Sequence, residues 1–190
     1  LDQVDINVTV QERSTGSFMF GVGFAGADGL LLQGEINREN LFGSGRELKL
    51  KIDHSSVEQV YEAAYTNPYF TKEGISLGYF VEYKNVDTSQ TTSADYESKG
   101  SLFGVRTEIP VSEFNSLDLS LGFEQLELEG TTTTATEYSS FITDHPSSEN
   151  LVVTGGVRKD TRDSVFFPQK GYLRRAIFAF TGPDSDLEYF

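Results

Sequence analysis

Apolar and polar residues alternate one by one along most of this chain. In RELKLKID, Leu48, Leu50 and Ile52 interleave with Glu47, Lys49, Lys51 and Asp53, a repeat of two that an extended strand converts into one apolar and one charged face. The same alternation sets Ile75, Leu77, Tyr79, Val81 and Tyr83 against Ser76, Gly78, Glu82 and Lys84, with Phe80 the exception, and Leu117, Leu119, Leu121 and Phe123 against Asp118, Ser120, Gly122 and Glu124. Further strands are predicted near 17–25, 30–37, 59–66, 98–109, 151–160 and 172–181, making about nine in succession, and no stretch reads as a helix. The opening VDINVTVQER alternates Val4, Ile6, Val8 and Val10 with polar residues up to a charged break. It reads as the last strand of an element upstream.

The connections carry a second regularity. Counted from the first strand, the two longest, NVDTSQTTSADYE and LEGTTTTATEYSSFITDHPSSEN, are the fifth and seventh, so an up-and-down meander puts both at one end of the sheet. The shorter NPYFTKEG, PVSEFN and RDSVFFPQKG, fourth, sixth and eighth, fall at the other end. Long polar loops outside and short turns inside are the layout of an outer-membrane β-barrel; a soluble β-sandwich is the alternative. In a barrel, a lysine turned to lipid at the midplane costs about 2–4 kcal/mol, so Lys49 and Lys51 line a watery interior. Phe18, Phe20, Val22 and Phe24 then face lipid, and Met19, Gly21, Gly23 and Ala25 point inward.

Composition narrows the class. The 190 residues carry a formal charge of -14, which argues against a phosphate-binding surface and hence against nucleic acid as a partner. With no cysteine there is no disulfide framework and no thiolate chemistry. No apolar run approaches the ~20 residues of a spanning helix, and LDQVDINVTV lacks a signal peptide's basic start and apolar core. A barrel passes unnoticed by bulk hydropathy because its polar lumen dilutes the average. About nine strands do not close a single-chain barrel, and an open edge in lipid leaves backbone groups unpaired. The expectation is therefore a piece of a larger barrel.

QERSTGSFMFGVGF, NLFGSG, TNPYFTKEGISLGYFVEY, IPVSEFNSLDLSLGF, RDSVFFPQKGYL and GPDSDLEYF resemble, in order and spacing, the front half of the barrel of the BamA family of outer-membrane assembly proteins. The translocation-and-assembly protein TamA shares that fold, and TNPYFT with the proline–glycine turn favours BamA. The resemblance implies an all-β, antiparallel, up-and-down transmembrane barrel of sixteen strands in the bacterial outer membrane. It assigns 1–13 to the last strand of a periplasmic POTRA domain and 14–190 to the N-terminal part of the barrel. It also implies outer-membrane lipids, client outer-membrane proteins and accessory lipoproteins as partners, no cofactor, and a later arginine-bearing loop and closing strand that have no counterpart in these residues.

The first barrel strand contains a contradiction. TGSFMFGVGFAG alternates as a strand yet holds Gly16, Gly21, Gly23 and Gly26, and each interior glycine weakens a strand by roughly 0.5–1 kcal/mol relative to alanine. The resemblance implies a lateral gate, in which the edge formed by Gly16, Ser17, Phe18, Met19, Phe20, Gly21, Val22, Gly23 and Phe24 opens and templates a client strand by β-augmentation. Alternatively, the glycines relieve crowding inside the barrel or permit a bend. A passive porin remains the other functional class.

Two turns hold the remaining candidate sites. Asn67, Pro68, Tyr69 and Phe70 in one, and Arg162, Asp163, Phe166, Phe167, Pro168 and Gly171 in the other, read first as periplasmic turns with aromatics at the membrane boundary and second as docking points for an accessory lipoprotein. Enzymatic chemistry has little support: His54 and His145 are the only histidines, beside Asp53 and Asp144 in predicted extracellular loops, and no Gly-x-Ser-x-Gly, HExxH or phosphate loop is present. Asp184, Asp186 and Glu188 offer oxygen ligands to Ca²⁺, but their spacing departs from an EF-hand, and a solvated turn is the plainer reading. No metal site is assigned.

Overall fold

The computed structural model describes residues 9, 16–26, 29–88, 96–130, 134, 136–164, 166–183 and 185–187, without the side chains of 136–138. The upstream strand expected over 2–12 therefore lies outside the described residues, apart from Thr9. Nine strands follow one another: β1 (Gly16–Ala25), β2 (Gly29–Arg38), β3 (Glu47–His54), β4 (Glu58–Asn67), β5 (Leu77–Asp87), β6 (Tyr96–Ser112), β7 (Asn115–Gly130), β8 (Ser147–Asp160) and β9 (Leu173–Thr181). They form one antiparallel sheet in chain order, so every ladder joins sequence neighbours and β1 and β9 are its two edges. This is the predicted meander.

Register sorts the side chains into two surfaces. Phe18, Ile36, Leu50, Ala63, Val81 and Phe103 lie side by side across the first six strands, and one residue along, on the opposite face, run Met19, Glu35, Lys51, Glu62 and Glu82. The charged face satisfies itself: Lys51 Nζ lies 2.6 Å from Asp53, Lys84 Nζ 2.8 Å from Glu58, Lys49 Nζ 3.5 Å from Glu62, and Arg158 binds Glu108. The apolar face has nothing over it. Among the described residues Ala64 is the one buried hydrophobic, whereas Phe18 is 72%, Phe24 80% and Phe178 69% exposed. A single layer of this kind has no core in water; acyl chains supply the missing half.

The apolar band has a visible upper limit on β7. Leu117, Leu119, Leu121 and Phe123 face outward, but beyond Glu124 the phase inverts without a bulge: Gln125, Glu127 and Glu129 take the outer face and Leu126 and Leu128 the inner one. Lys99, on the outer face, reaches Glu97 at 3.3 Å and Glu129 at 3.7 Å. The long strands β6, β7 and β8 thus rise out of the lipid-facing zone as a ribbon solvated outside. Its top is covered by α1 (Thr136–Asp144), an element the sequence reading did not predict. An added Cβ at Gly130 would lie 3.7 Å from Ile142 of this helix, an ordinary contact distance, and the helix packs against the end of β7.

Phe80, the exception to the alternation, is explained by its neighbours. Its inward position aligns with Gly104 on β6 and Gly122 on β7, and an added Cβ at Gly104 would lie 2.9 Å from the Phe80 ring and 2.3 Å from the Leu121 carbonyl oxygen. The ring occupies space vacated by two glycines.

Candidate functional site

Strand β1 is held on one side by a continuous ten-residue register with β2, from Gly16 opposite Arg38 to Ala25 opposite Gly29. Its other edge has no partner among the described residues. Alternate residues of an edge strand direct their N–H and C=O groups away from the sheet, so this margin presents unpaired main-chain donors and acceptors. Phe18, Phe20, Val22 and Phe24 share the lipid face. Met19, Gly21 and Gly23 share the lumen face, where Met19 adjoins Glu35, Lys51 and Asp53.

No described neighbour crowds the two interior glycines. An added Cβ would meet Gln33 at 3.8 Å from Gly21, and Leu31 at 3.6 Å from Gly23, both ordinary contacts, and nothing within 4 Å at Gly26. Neither Gly21 nor Gly23 has a positive φ. Contrast Gly171, where φ is +89° and a Cβ would lie 2.0 Å from the Thr161 carbonyl oxygen. There glycine is obligatory; in β1 no described neighbour requires it.

The turns at the opposite end from the long loops are tightly built. Asn67 Oδ1 accepts the Tyr69 N–H at 3.2 Å, closing a turn around Pro68, and the Phe70 N–H donates to the Ile75 carbonyl at 3.0 Å. In the second turn the Arg162 guanidinium grips both oxygens of Asp160, at 2.9 and 2.7 Å. Asp163 Oδ1 accepts the N–H groups of Gln169 and Lys170 at 2.9 and 3.1 Å; the Lys170 and Gln169 donors together hold this carboxyl below the usual carboxylate range. Tyr69, Phe70, Phe166 and Phe167 remain largely exposed, as rings seated at a membrane boundary are. Pro168 lies between Phe167 and the Asp163-bound Gln169 and Lys170 N–H groups.

His54 is the last residue of β3 rather than part of a loop, with Nδ1 3.3 Å from the Tyr61 hydroxyl; on a strand it faces away from Asp53. His145 stacks on Phe141 with ring centroids 4.8 Å apart. The Asp186 carboxylate is used by the Glu149 N–H at 2.8 Å, while Asp184 and Glu188 lie outside the described residues. Sequence reasoning missed Lys159, Tyr172 and Arg174, which gather on the outer face. Their signal was present in two dibasic pairs, Arg158-Lys159 and Arg174-Arg175, since consecutive strand residues must place one cation on each face.

Comparison with known proteins agrees with this geometry. Residues 40–190 match the Omp85 superfamily domain. The outer membrane protein assembly factor BamA of Neisseria meningitidis is 29% identical over 200 aligned positions, which span 100% of this chain and 25% of that protein. BamA of Nitratidesulfovibrio vulgaris is 28% identical over 186 positions, 95% of this chain and 22% of its own length. Among solved structures, BamA from Haemophilus ducreyi lacking POTRA domains 1–3 superposes with a TM-score of 0.73 at 27% identity, covering 93% of this chain and 36% of that one. The chain thus spans about a quarter of the length of these curated relatives. A lipid-facing meander with a charged lumen, matched throughout to BamA, identifies an outer-membrane β-barrel segment that belongs to the Omp85 superfamily.

Proposed function

We propose that this chain is the front part of the barrel of an outer-membrane protein assembly factor, and that β1 is the strand at which it works. Its free margin pairs with a terminal strand of a client barrel, and the client grows by adding strands against it. The interaction is carried by main-chain hydrogen bonds and is therefore tolerant of client sequence; no covalent step is required. The observation carrying this reading is a first strand, paired with β2 over ten residues, that is weakened by two glycines no described neighbour demands. The relatives' role as assembly factors supports the direction. Residues 1–13 are assigned to the exit of a periplasmic POTRA domain, and the Asn67–Phe70 and Arg162–Gly171 turns are second-rank candidates for contact with accessory lipoproteins.

Cysteines placed singly along Ser17–Phe24 of the intact parent protein, probed during insertion of a client with a cysteine in its terminal strand, test the assignment. Adducts running along β1 in antiparallel register are expected. Adducts elsewhere on the barrel with none along β1 would refute it. In liposomes, pore conductance without accelerated client folding would favour a passive channel.

A further inference from the structure

We propose that Lys159, Arg174 and Tyr172 bind the phosphate headgroup of an anionic glycerophospholipid, with one acyl chain lying in the adjoining apolar groove. Lys159 and Arg174 are direct cross-strand partners on β8 and β9. Their neighbours Arg158 and Arg175 point into the lumen, bound to Glu108 and Asp118, so Lys159 and Arg174 point out. Like charges placed opposite one another repel. Yet among the described residues neither makes an ion pair, whereas the lumen cations Lys49, Lys51, Lys84, Arg158 and Arg175 do and a sixth, Arg106, donates to Thr66 Oγ1 at 3.2 Å.

What holds the two together is one ring. The Arg174 guanidinium lies 4.5 Å and Lys159 Nζ 5.9 Å from the centroid of Tyr172, which leaves two positive charges on the outer surface without an anion. Lys159 and Arg174 themselves line a groove of about 460 Å³ together with the apolar Val111, Leu117, Val157 and Ala176 and the polar Asn115 and Ser116. An apolar trough ending in paired cations and a tyrosine, at the short-turn end of a lipid-facing wall, has the polarity of a phospholipid: acyl chain along the trough, phosphate at its end. That end faces the periplasm in an outer-membrane barrel, which places the lipid in the inner leaflet. The inference rests on the barrel's seat in the membrane and not on β1 acting as a template.

Native mass spectrometry of the intact parent protein in micelles, titrated with dioleoylphosphatidylglycerol or with dioleoylphosphatidylcholine, tests it. One tight phosphatidylglycerol adduct is expected, weakened about thirtyfold in Lys159→Gln/Arg174→Gln and about fivefold in each single variant. The single variants carry the test should the double variant not fold. Val157→Trp, which fills the groove and leaves both cations, is expected to weaken the adduct as well. Equal affinity for phosphatidylcholine, unchanged affinity in the charge variants, or displacement by millimolar inorganic phosphate would each overturn the proposal.

Discussion

Replacing Gly21 and Gly23 together by alanine tests the link between a weak strand and its work. Each new methyl group enters the lumen face at ordinary contact distance, 3.8 Å from Gln33 and 3.6 Å from Leu31, so no clash offsets the gain in backbone order. At roughly 0.5–1 kcal/mol per site, the pair stabilises the β1–β2 ladder by about 1–2 kcal/mol, a factor of about 5–30 in the population of opened strand. Amide hydrogen exchange across Gly16–Ala25 of the parent protein in nanodiscs reads that factor directly. Client folding into liposomes, measured on the same samples, is expected to slow by a similar factor, because the strand must open before it pairs. Lower protection in the variant would show a steric need for glycine. Higher protection with an unchanged client rate would show that opening of β1 does not limit insertion.

Other substitutions probe the scaffold. Gly104→Ala is expected to cost about 1–3 kcal/mol in a urea unfolding titration, and Phe80→Ala is not expected to rescue it, since the nearest obstacle is the Leu121 carbonyl rather than the ring. Gly171→Ala, at a φ of +89° and against the Thr161 carbonyl, is expected to open the β8–β9 turn to limited proteolysis. The Asp163 carboxyl, depressed by its backbone donors, stabilises the same turn at pH values above its ordinary value of about 3.9. That contribution is lost as pH falls through the lower, folded value, and exchange of the Gln169 and Lys170 amides under acid follows it; exchange independent of pH after correction for the intrinsic rate would contradict the assignment.

The strands were legible because lipid on one side and water on the other impose a period of two, and ELKLKID obeys it without exception. Legibility failed where that contrast fails. Above Phe123 both faces of β7 meet water or protein, the apolar positions change phase, and a strand that continues to Gly130 looks in sequence like the start of a loop. Residues 136–144 form only a short helix among serines and threonines; it packs against the end of β7, a tertiary contact that local pattern does not record. In the candidate site, the gate role proposed for β1 came from the resemblance and not from its pattern. That no described neighbour crowds Gly21 or Gly23 follows from interatomic distances and could not be read from the letters. Lys159 and Arg174 were overlooked for a related reason: two adjacent cations look like a single basic patch until the pleat sends one to each side.

The strand order has a kinetic corollary. Because each ladder among the described residues joins consecutive strands, none of these nine must wait for a distant one, and closure entropy is paid one hairpin at a time. The sheet can therefore lengthen from a growing margin, every completed strand offering the next its row of amides and carbonyls. The same stepwise zippering that builds this wall is the operation its leading edge is inferred to perform on other chains.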